Sequence, residues 1–169
     1  MADHLSELIR RHEALYTVKD AICQAFGMLK DCFSQGGTLF VCGNGGSAAD
    51  AEHIVGELMK GFLMPRRQRG ALHGRLEELF GEEGRKIGGA LQGGLRAVSL
   101  NGHPSLSSAF ANDVDADLVF AQQLSVLARP GDVLLGLSTS GNSRNVVKAS
   151  MCRPALPAHM LVGYFRNTV

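Results

Sequence analysis

Apolar residues recur at intervals of three and four positions along residues 3–35, a pattern typical of an amphipathic helix. The apolar stripe begins at Leu5 and runs through Ile22 to Phe33, and Gly36 with Gly37 is predicted to end the helix. One small domain cannot cover a stripe of this length. We therefore expect part of it to pack against a second subunit, rather than wholly within its own chain.

Short apolar runs alternate with helix-like segments along the rest of the chain. The predicted strands cover residues 38–42, 96–100 and 132–137. The predicted helices cover residues 47–60, 71–80, 105–111 and 115–127 and a segment from about residue 142. Pro65 is predicted to close the region after helix 47–60. Glycines make the helical pattern weaker over residues 81–94. This alternation predicts an α/β fold, a three-layer αβα sandwich with a parallel sheet, preceded by the long N-terminal helix.

Composition narrows the class of protein without naming a function. The chain has 169 residues, 45% hydrophobic and 20% charged, with a net charge of +1. These values indicate a single globular domain and give no reason to expect direct nucleic-acid binding. No apolar run approaches the roughly 20 residues that span a membrane. Four cysteines without CxxC spacing, and a start without a signal-peptide pattern, predict a cytoplasmic protein.

Two loops of similar chemistry each follow a predicted strand and precede a predicted helix. The first reads Gly43-Asn44-Gly45-Gly46-Ser47, and the second reads Ser138-Thr139-Ser140-Gly141-Asn142-Ser143. Glycine lets a backbone approach a phosphate closely, and hydroxyl groups and helix N-termini bind its oxygens. Each loop alone is also explained as a turn that caps the next helix. Because ligands of parallel sheets bind at the carboxyl ends of strands, the pair favours a phosphorylated small molecule.

Neither loop is a nucleotide-binding motif. The Gly-Lys-Ser/Thr of a Walker A loop is missing, and so is the GxGxxG spacing of dinucleotide-binding folds.

Two further pairs of residues are candidates for the same site. His53 and Glu57 lie four apart on the helix that follows the first loop, so they share one face. They are able to bind a metal or to act as an acid–base pair, although a solvent-exposed surface pair is the simpler alternative. Asn112 and Asp113 follow the second strand and are expected near the carboxyl edge of the sheet, unless Asp113 only caps a helix.

These motifs together resemble the sugar isomerase (SIS) domain family, and within it the phosphoheptose isomerases. The resemblance is carried by residues 42–47, 51–58, 111–113 and 131–143, and it extends from the first helix to about residue 149. It implies a flavodoxin-like SIS fold, with an oligomerisation helix at 1–37, an SIS core at 38–150 and an atypical tail at 151–169. It also implies a homotetramer built around the first helix.

The resemblance further implies isomerisation of sedoheptulose 7-phosphate to D-glycero-D-manno-heptose 7-phosphate through an enediol. Glu57 is the implied base, and it moves a proton between C1 and C2 of the sugar. His53 is implied to bind substrate, or zinc together with Glu57. The implied phosphate ligands are Ser138, Thr139, Ser140 and Ser143. The implied sugar ligands are Asn44, Gly45, Gly46, Ser47, Asn112 and Asp113.

The chain after Ser150 does not resemble the family. Family members continue there through further strands and helices, and a glutamine and a histidine near their end complete the site. Here Pro154 and Pro157 break any helix, and the end reads like a truncated or frame-shifted one. We therefore expect weak or no isomerase activity and, because only His53 and Glu57 remain of the zinc site, weak or absent zinc binding. Residues 160–165 are apolar enough to add one strand, and His159 is not expected to replace the family's histidine.

Two non-catalytic functions remain as alternatives at this point. One is a tetrameric SIS protein that binds the replication initiator, and the other is a sensor that binds a phosphosugar without converting it.

Overall fold

The computed structural model describes residues 2–61, 63–64, 66, 71–152 and 159–164, the last of these through their backbone. The prediction that Pro65 closes the region after the third helix lies outside the described residues. The same is true of Phe165, the last residue of the predicted additional strand.

The described residues form helices and strands in the alternating order that the sequence predicts. The α-helices are α1 (Ala2–Arg11), α2 (Lys19–Ser34), α3 (Gly46–Met59), α4 (Ala71–Ala90), α5 (Pro104–Phe110), α6 (Val119–Leu127) and α7 (Arg144–Met151). The strands are β1 (Leu39–Gly43), β2 (Ala97–Ser99), β3 (Val133–Ser138) and β4 (His159–Tyr164). Two 3₁₀ segments, Glu13–Val18 and Ala116–Leu118, and a π-helical turn, Ala111–Asp115, join some of the helices.

The four strands form one parallel sheet in the order β2-β1-β3-β4. Val41 of β1 lies beside Ser99 on one side and Leu135 on the other. The chain runs from β1 outward to β2 and then returns to place β3 on the opposite side of β1. This reversal creates a topological switch point between β1 and β3, where α/β sheets bind ligands at the carboxyl ends of their strands. The prediction of a strand within residues 160–165 is confirmed by β4.

Helices cover both faces of the sheet, which confirms the three-layer sandwich. The buried residues Leu39, Val41 and Val133 form one apolar cluster, against which residues of α2 and α3 pack. Phe40, Cys42 and Leu134 point to the other face, where they pack against α6 and α7. Because neighbouring positions of β1 serve opposite faces, the strand reads as a continuous apolar run.

A buried carboxylate joins the amino ends of the strands. Asp132 is only 3% exposed, and its two oxygens accept hydrogen bonds from the backbone N–H groups of Thr38 and Arg129, each at 2.7 Å. These bonds fix the start of β1 and the turn before β3, because a buried carboxylate must be fully hydrogen-bonded.

The long N-terminal helix is not continuous, so the prediction of one helix over 3–35 is wrong in this respect. α1 ends at Arg11, and a 3₁₀ segment precedes α2. The segment contains Tyr16, Thr17 and Val18, whose aromatic or β-branched side chains favour a helix less than the residues around them do. The predicted end is confirmed, since α2 stops at Ser34 and Gly36 adopts a positive φ of 76°.

The glycines between residues 81 and 94 have a packing role that the sequence did not reveal. α4 extends to Ala90, ten residues beyond the predicted end, but it bends sharply at Gly81, where φ is 57°. A Cβ at Gly84 would overlap the backbone of Leu76, and one at Gly88 would overlap His73. These glycines therefore let the two halves of α4 pack closely against each other.

The cysteines of the core are structural residues, as the sequence predicts for Cys42. Cys42 is fully buried in β1, and burial raises the pKa of its thiol to about 12. Burial also raises the pKa of Cys32. Neither thiol is a ready nucleophile, because the reactive form is the thiolate. Among the helices of the described ranges, none is long and apolar enough to cross a membrane.

Candidate functional site

The two loops predicted to bind an anion lie side by side at the switch point. β1 ends at Gly43 and β3 ends at Ser138, and in the parallel register Gly43 lies beside Leu137. Both loops therefore leave the same edge of the sheet from adjacent strands, and each leads to a helix, α3 or α7. The structure thus brings together the two loops that sequence spacing alone treats separately.

The first loop is a tight turn that requires glycine. A Cβ at Gly43 would lie 2.6 Å from the carbonyl oxygen of Ser47, closer than atoms pack. Gly45 precedes α3 with a φ of 55°, which side chains strongly disfavour. The turn is closed by the N–H of Ser47, which donates to the carbonyl of Asn44 at 3.0 Å. Among the described residues no side chain caps α3, and the N–H groups of Ala48 and Ala49 donate instead to the Gly45 carbonyl.

Asn101 holds this loop and was not predicted. Its Nδ2 donates to the Gly43 carbonyl at 2.8 Å, and its Oδ1 accepts from the Gly43 N–H at 3.2 Å. The only signal in the sequence is its place directly after the strand run that ends at Leu100. A polar residue there lies at the carboxyl edge of the sheet, beside the loop that follows β1.

The second loop gathers its hydroxyl groups around Ser138. The Oγ of Ser138 lies 3.0 Å from that of Ser143 and 3.5 Å from that of Ser140. Ser138 is buried at 3% exposure, whereas Thr139 and Ser140 are exposed. The hydroxyl of Ser143, the N-cap residue of α7, makes no capping bond. The cap alternative is therefore wrong for Ser143, and the cluster instead presents several donors suited to phosphate oxygens.

A pair of asparagines connects the two loops. Nδ2 of Asn44 donates to Oδ1 of Asn145 at 2.8 Å, and Nδ2 of Asn145 donates to Oδ1 of Asn44 at 2.8 Å. Asn44 belongs to the first loop, and Asn145 to the first turn of α7. Asn145 was not predicted, because a single asparagine within a helix carries no distinctive spacing.

His53 and Glu57 share a face of α3 as predicted. Nε2 of His53 lies 3.8 Å from Oε1 of Glu57, and the two side chains are 77% and 46% exposed. The geometry agrees with an acid–base pair beside an open site, and it agrees equally with a surface pair. Zinc sites use at least three protein ligands. Within the described ranges, no group of three His, Cys, Asp or Glu is arranged to hold a metal.

Arg66 holds the end of α3 that carries Glu57, and it too was missed. Its Nη2 donates to the carbonyl oxygens of Glu57 and Leu58, both at 2.8 Å. A guanidinium at this position satisfies carbonyl groups that a helix leaves free at its C-terminus. Arg66 follows the predicted breaker Pro65, which gave no sign of this contact.

Asn112 and Asp113 lie in the π-helical turn Ala111–Asp115, and both are exposed. Nδ2 of Asn112 donates to Oδ1 of Asp113 at 2.8 Å. The capping role considered for Asp113 belongs instead to Asp115, whose Oδ1 accepts from the N–H of Asp117 at 2.8 Å.

Ion pairs attach this turn to the helix of the second loop. Nζ of Lys148 on α7 lies 3.0 Å from Asp115 and 3.3 Å from Asp117. The hydrogen bond from Asp117 and that from Lys148 lower the pKa of Asp115, and the bond to Asp115 raises the pKa of Lys148. The segment bearing Asn112 and Asp113 is thereby joined to α7, although within the described ranges neither side chain hydrogen-bonds to the two loops.

A cavity of about 390 Å³ lies at the amino ends of the strands, at the other end of the sheet from the two loops. It is lined by Thr38 and Arg96, which precede β1 and β2, and by Met59 at the end of α3. Since ligands of parallel sheets bind at the carboxyl ends, this cavity is not our candidate site.

Comparison with known proteins agrees with the geometry. The family model described as "SIS domain" matches residues 3–73. A phosphoheptose isomerase of Geotalea daltonii is 40% identical over 122 residues, which cover 72% of this chain and 50% of that protein. A phosphoheptose isomerase of Neisseria gonorrhoeae is 35% identical over 150 residues, covering 88% of this chain and 63% of that protein.

Solved structures show the same relationship. Phosphoheptose isomerase GmhA from Neisseria gonorrhoeae superposes with a TM-score of 0.67 at 33% identity, over 95% of this chain and 71% of that one. A phosphoheptose isomerase from Francisella tularensis superposes with a TM-score of 0.66 at 24% identity, which supports the fold alone. The chain spans about half the length of the first curated relatives it matches.

Proposed function

This chain belongs to the SIS domain family, and we propose that it is a phosphosugar isomerase of the phosphoheptose isomerase type. The proposed substrate is sedoheptulose 7-phosphate and the proposed product is D-glycero-D-manno-heptose 7-phosphate. The observation that carries the proposal is the cluster of Ser138, Ser140 and Ser143 at the switch point, next to the loop that leads to Glu57.

The second loop is the proposed phosphate site. A phosphate has more oxygen atoms than one hydroxyl can bind, and Ser138, Thr139, Ser140 and Ser143 offer four hydroxyl groups within six residues. In the free protein Ser138 and Ser143 bond to each other at 3.0 Å. A bound phosphate would accept from these hydroxyls in place of the bond that they make to each other.

The first loop and α3 are the proposed sugar site. Asn44, Gly45, Gly46 and Ser47 would contact the sugar. His53 would hold the sugar beside Glu57. Asn112 and Asp113 would contact the other side of the sugar. The carboxylate of Glu57 would take a proton from C1 of the ketose, which leaves an enediolate with its negative charge on the oxygen of C2. Transfer of a proton from the oxygen on C1 to that on C2, and return of a proton from Glu57 to C2, would give the aldose.

Assembly and location are part of the proposal. We propose a homotetramer, because α2 and the 3₁₀ segment before it carry exposed apolar side chains, among them Tyr16, Val18 and Phe26. Burying such side chains between copies of the chain would remove apolar surface from water. The proposed location is the cytoplasm, in keeping with four cysteines that are all free.

The direct test is conversion of sedoheptulose 7-phosphate by the purified chain, followed by separation of the two heptose phosphates. Product that forms with wild-type protein and not with Glu57→Gln supports the proposal. Binding of the sugar phosphate without any product would favour the sensor function instead. The expectation of weak turnover is tested by the same assay. Light scattering of the purified chain tests the tetramer.

A further inference from the structure

The two amides of Asn44 and Asn145 form a closed pair, with hydrogen bonds of 2.8 Å in both directions. We propose that Asn145 is a positioning residue, which holds Asn44 in one orientation and so fixes the sugar site relative to the phosphate site. The inference rests on the proposed function, because it assigns Asn44 to the sugar and the second loop to the phosphate.

The orientation of the pair is set by the backbone. Oδ1 of Asn145 also accepts a hydrogen bond from the N–H of Val146 at 3.0 Å. Since a backbone N–H cannot donate to an amide NH2 group, this bond fixes which end of the Asn145 amide is the oxygen. The nitrogen of Asn44 must then face that oxygen, and the oxygen of Asn44 must face the Asn145 nitrogen. A contact within α7 thus decides how Asn44 is turned.

The first turn of α7, which carries Asn145, also directly follows the proposed phosphate loop. Ser143 lies two residues before Asn145, and its hydroxyl contacts that of Ser138 at 3.0 Å. Val146 is buried at 3% exposure and packs in the core against the sheet, so this turn of α7 is held in a fixed position. One rigid element therefore holds a member of the hydroxyl cluster and, through Asn145, the side chain of Asn44.

Asn44 keeps groups free for a ligand. An asparagine side chain has two N–H donors and an oxygen with two lone pairs, and the pair with Asn145 uses one of each. Asn44 is exposed, whereas Asn145 is half-buried. The remaining donor and acceptor of Asn44 are accordingly open to a sugar hydroxyl, in an orientation already fixed before binding. Such preorganisation strengthens binding, because less freedom is lost when the ligand arrives.

The test is a double-mutant cycle of Asn44→Ala and Asn145→Ala in the full chain, with binding measured by calorimetry. The two probes are sedoheptulose 7-phosphate and inorganic phosphate. We expect Asn145→Ala to weaken binding of the sugar phosphate about tenfold and that of inorganic phosphate less than about twofold. In the Asn44→Ala background, Asn145→Ala should have almost no further effect. Ser150→Ala is the matched control, because its hydroxyl bonds only to the Val147 carbonyl of the same helix.

Two calorimetric results would overturn the inference: an equal loss for both probes, or effects of the two substitutions that simply add. A second measurement does not need the sugar. The side-chain amide signals of Asn44 in a proton–nitrogen NMR spectrum, identified by their loss in Asn44→Ala, should shift in Asn145→Ala and stay in place in Ser150→Ala. Unchanged signals in Asn145→Ala would overturn the coupling. A wild-type chain that binds inorganic phosphate but no sugar phosphate would refute the proposed substrate, and the NMR result would then decide the coupling by itself.

Discussion

Asn101 hydrogen-bonds to both backbone polar groups of Gly43: it donates to the carbonyl at 2.8 Å and accepts from the N–H at 3.2 Å. Gly43 is the last residue of β1, and Asn101 follows β2. This single side chain therefore supplies two hydrogen bonds that a backbone partner in the sheet would otherwise make, at the point where the first loop leaves β1. The two bonds keep the loop against the neighbouring strand β2.

Asn101→Ala should destabilise the chain by removing both of these bonds. Because the polar groups of Gly43 are buried, leaving them without a partner should lower the free energy of unfolding by about 1–3 kcal/mol. Urea unfolding followed by circular dichroism measures this change. Asn101→Asp places a carboxylate oxygen where the donor to the Gly43 carbonyl stood, so it should also be less stable than wild type. Wild-type stability of Asn101→Ala would show that the two bonds do not hold the loop.

Asp132→Ala should reduce stability without affecting the candidate site. Its carboxylate accepts two backbone hydrogen bonds at 2.7 Å at the amino end of the sheet, away from both loops. Loss of these charge-assisted bonds should lower the free energy of unfolding by about 2–3 kcal/mol. Below the unfolding transition, the variant should bind inorganic phosphate as wild type does. A large loss of phosphate affinity in the folded variant would contradict this separation of the two edges.

Ser143→Ala should weaken phosphate binding and leave stability nearly unchanged. The hydroxyl contacts Ser138 and does not cap α7, so the helix does not depend on it. Loss of one donor to an anion should reduce the affinity for inorganic phosphate about five- to tenfold, as measured by calorimetry. Ser125→Ala is the control, since that hydroxyl bonds only to the Gln122 carbonyl on α6. Equal affinities for Ser143→Ala and wild type would place the phosphate elsewhere.

The pairs between Lys148 and the aspartates predict how one part of the stability depends on pH. The pKa of Asp115 lies below its usual value, so the stability from its carboxylate is present above about pH 3.9 and is lost as the pH falls through the lower folded pKa. The pKa of Lys148 is raised, so its contribution is present below about pH 10.4 and is lost as the pH rises through the higher folded pKa.

The melting temperature of Lys148→Met should therefore lie below that of wild type by a constant amount between about pH 5 and pH 9, and the gap should close as the pH falls through the lowered pKa of Asp115. Thermal unfolding across this range measures it. Lys86→Met, at an exposed position of α4, serves as the control and should show no such dependence. A gap that persists at pH 2 would mean that Lys148 acts through packing and not through its charge.

The sequence predicted the layers and strands well because they follow from local patterns. β1 and β3 are continuous apolar runs, and only strands buried on both faces need such runs in a chain of this polarity. The break between α1 and α2 was missed because the apolar period continues through Tyr16, Thr17 and Val18 while their backbone preference changes. The apolar period indicates which face of a helix is apolar, and it does not indicate where the α-helix is interrupted.

The candidate site was predicted where its residues lie in recognisable loops or, like His53 and Glu57, at helical spacing. Ser138 and Ser143 share a short segment, and their contact at 3.0 Å follows from one turn. Asn101 and Asn145 meet their partners across strands, at separations of 58 and 101 residues along the chain. Such contacts depend on strand order, which the sequence pattern did not specify. A lone asparagine therefore gave no signal until the topology placed it beside a loop.

Hydrogen exchange at C1 of the sugar tests most directly whether Glu57 is the base of an enediol isomerisation. Sedoheptulose 7-phosphate is incubated with the chain in D₂O, and the C1 proton signals are followed by NMR. We predict that wild-type protein replaces one C1 proton by deuterium, and that Glu57→Gln slows this exchange at least about 100-fold, the scale of a general base. Exchange by wild type no faster than in buffer, or equal exchange by Glu57→Gln, would contradict the account.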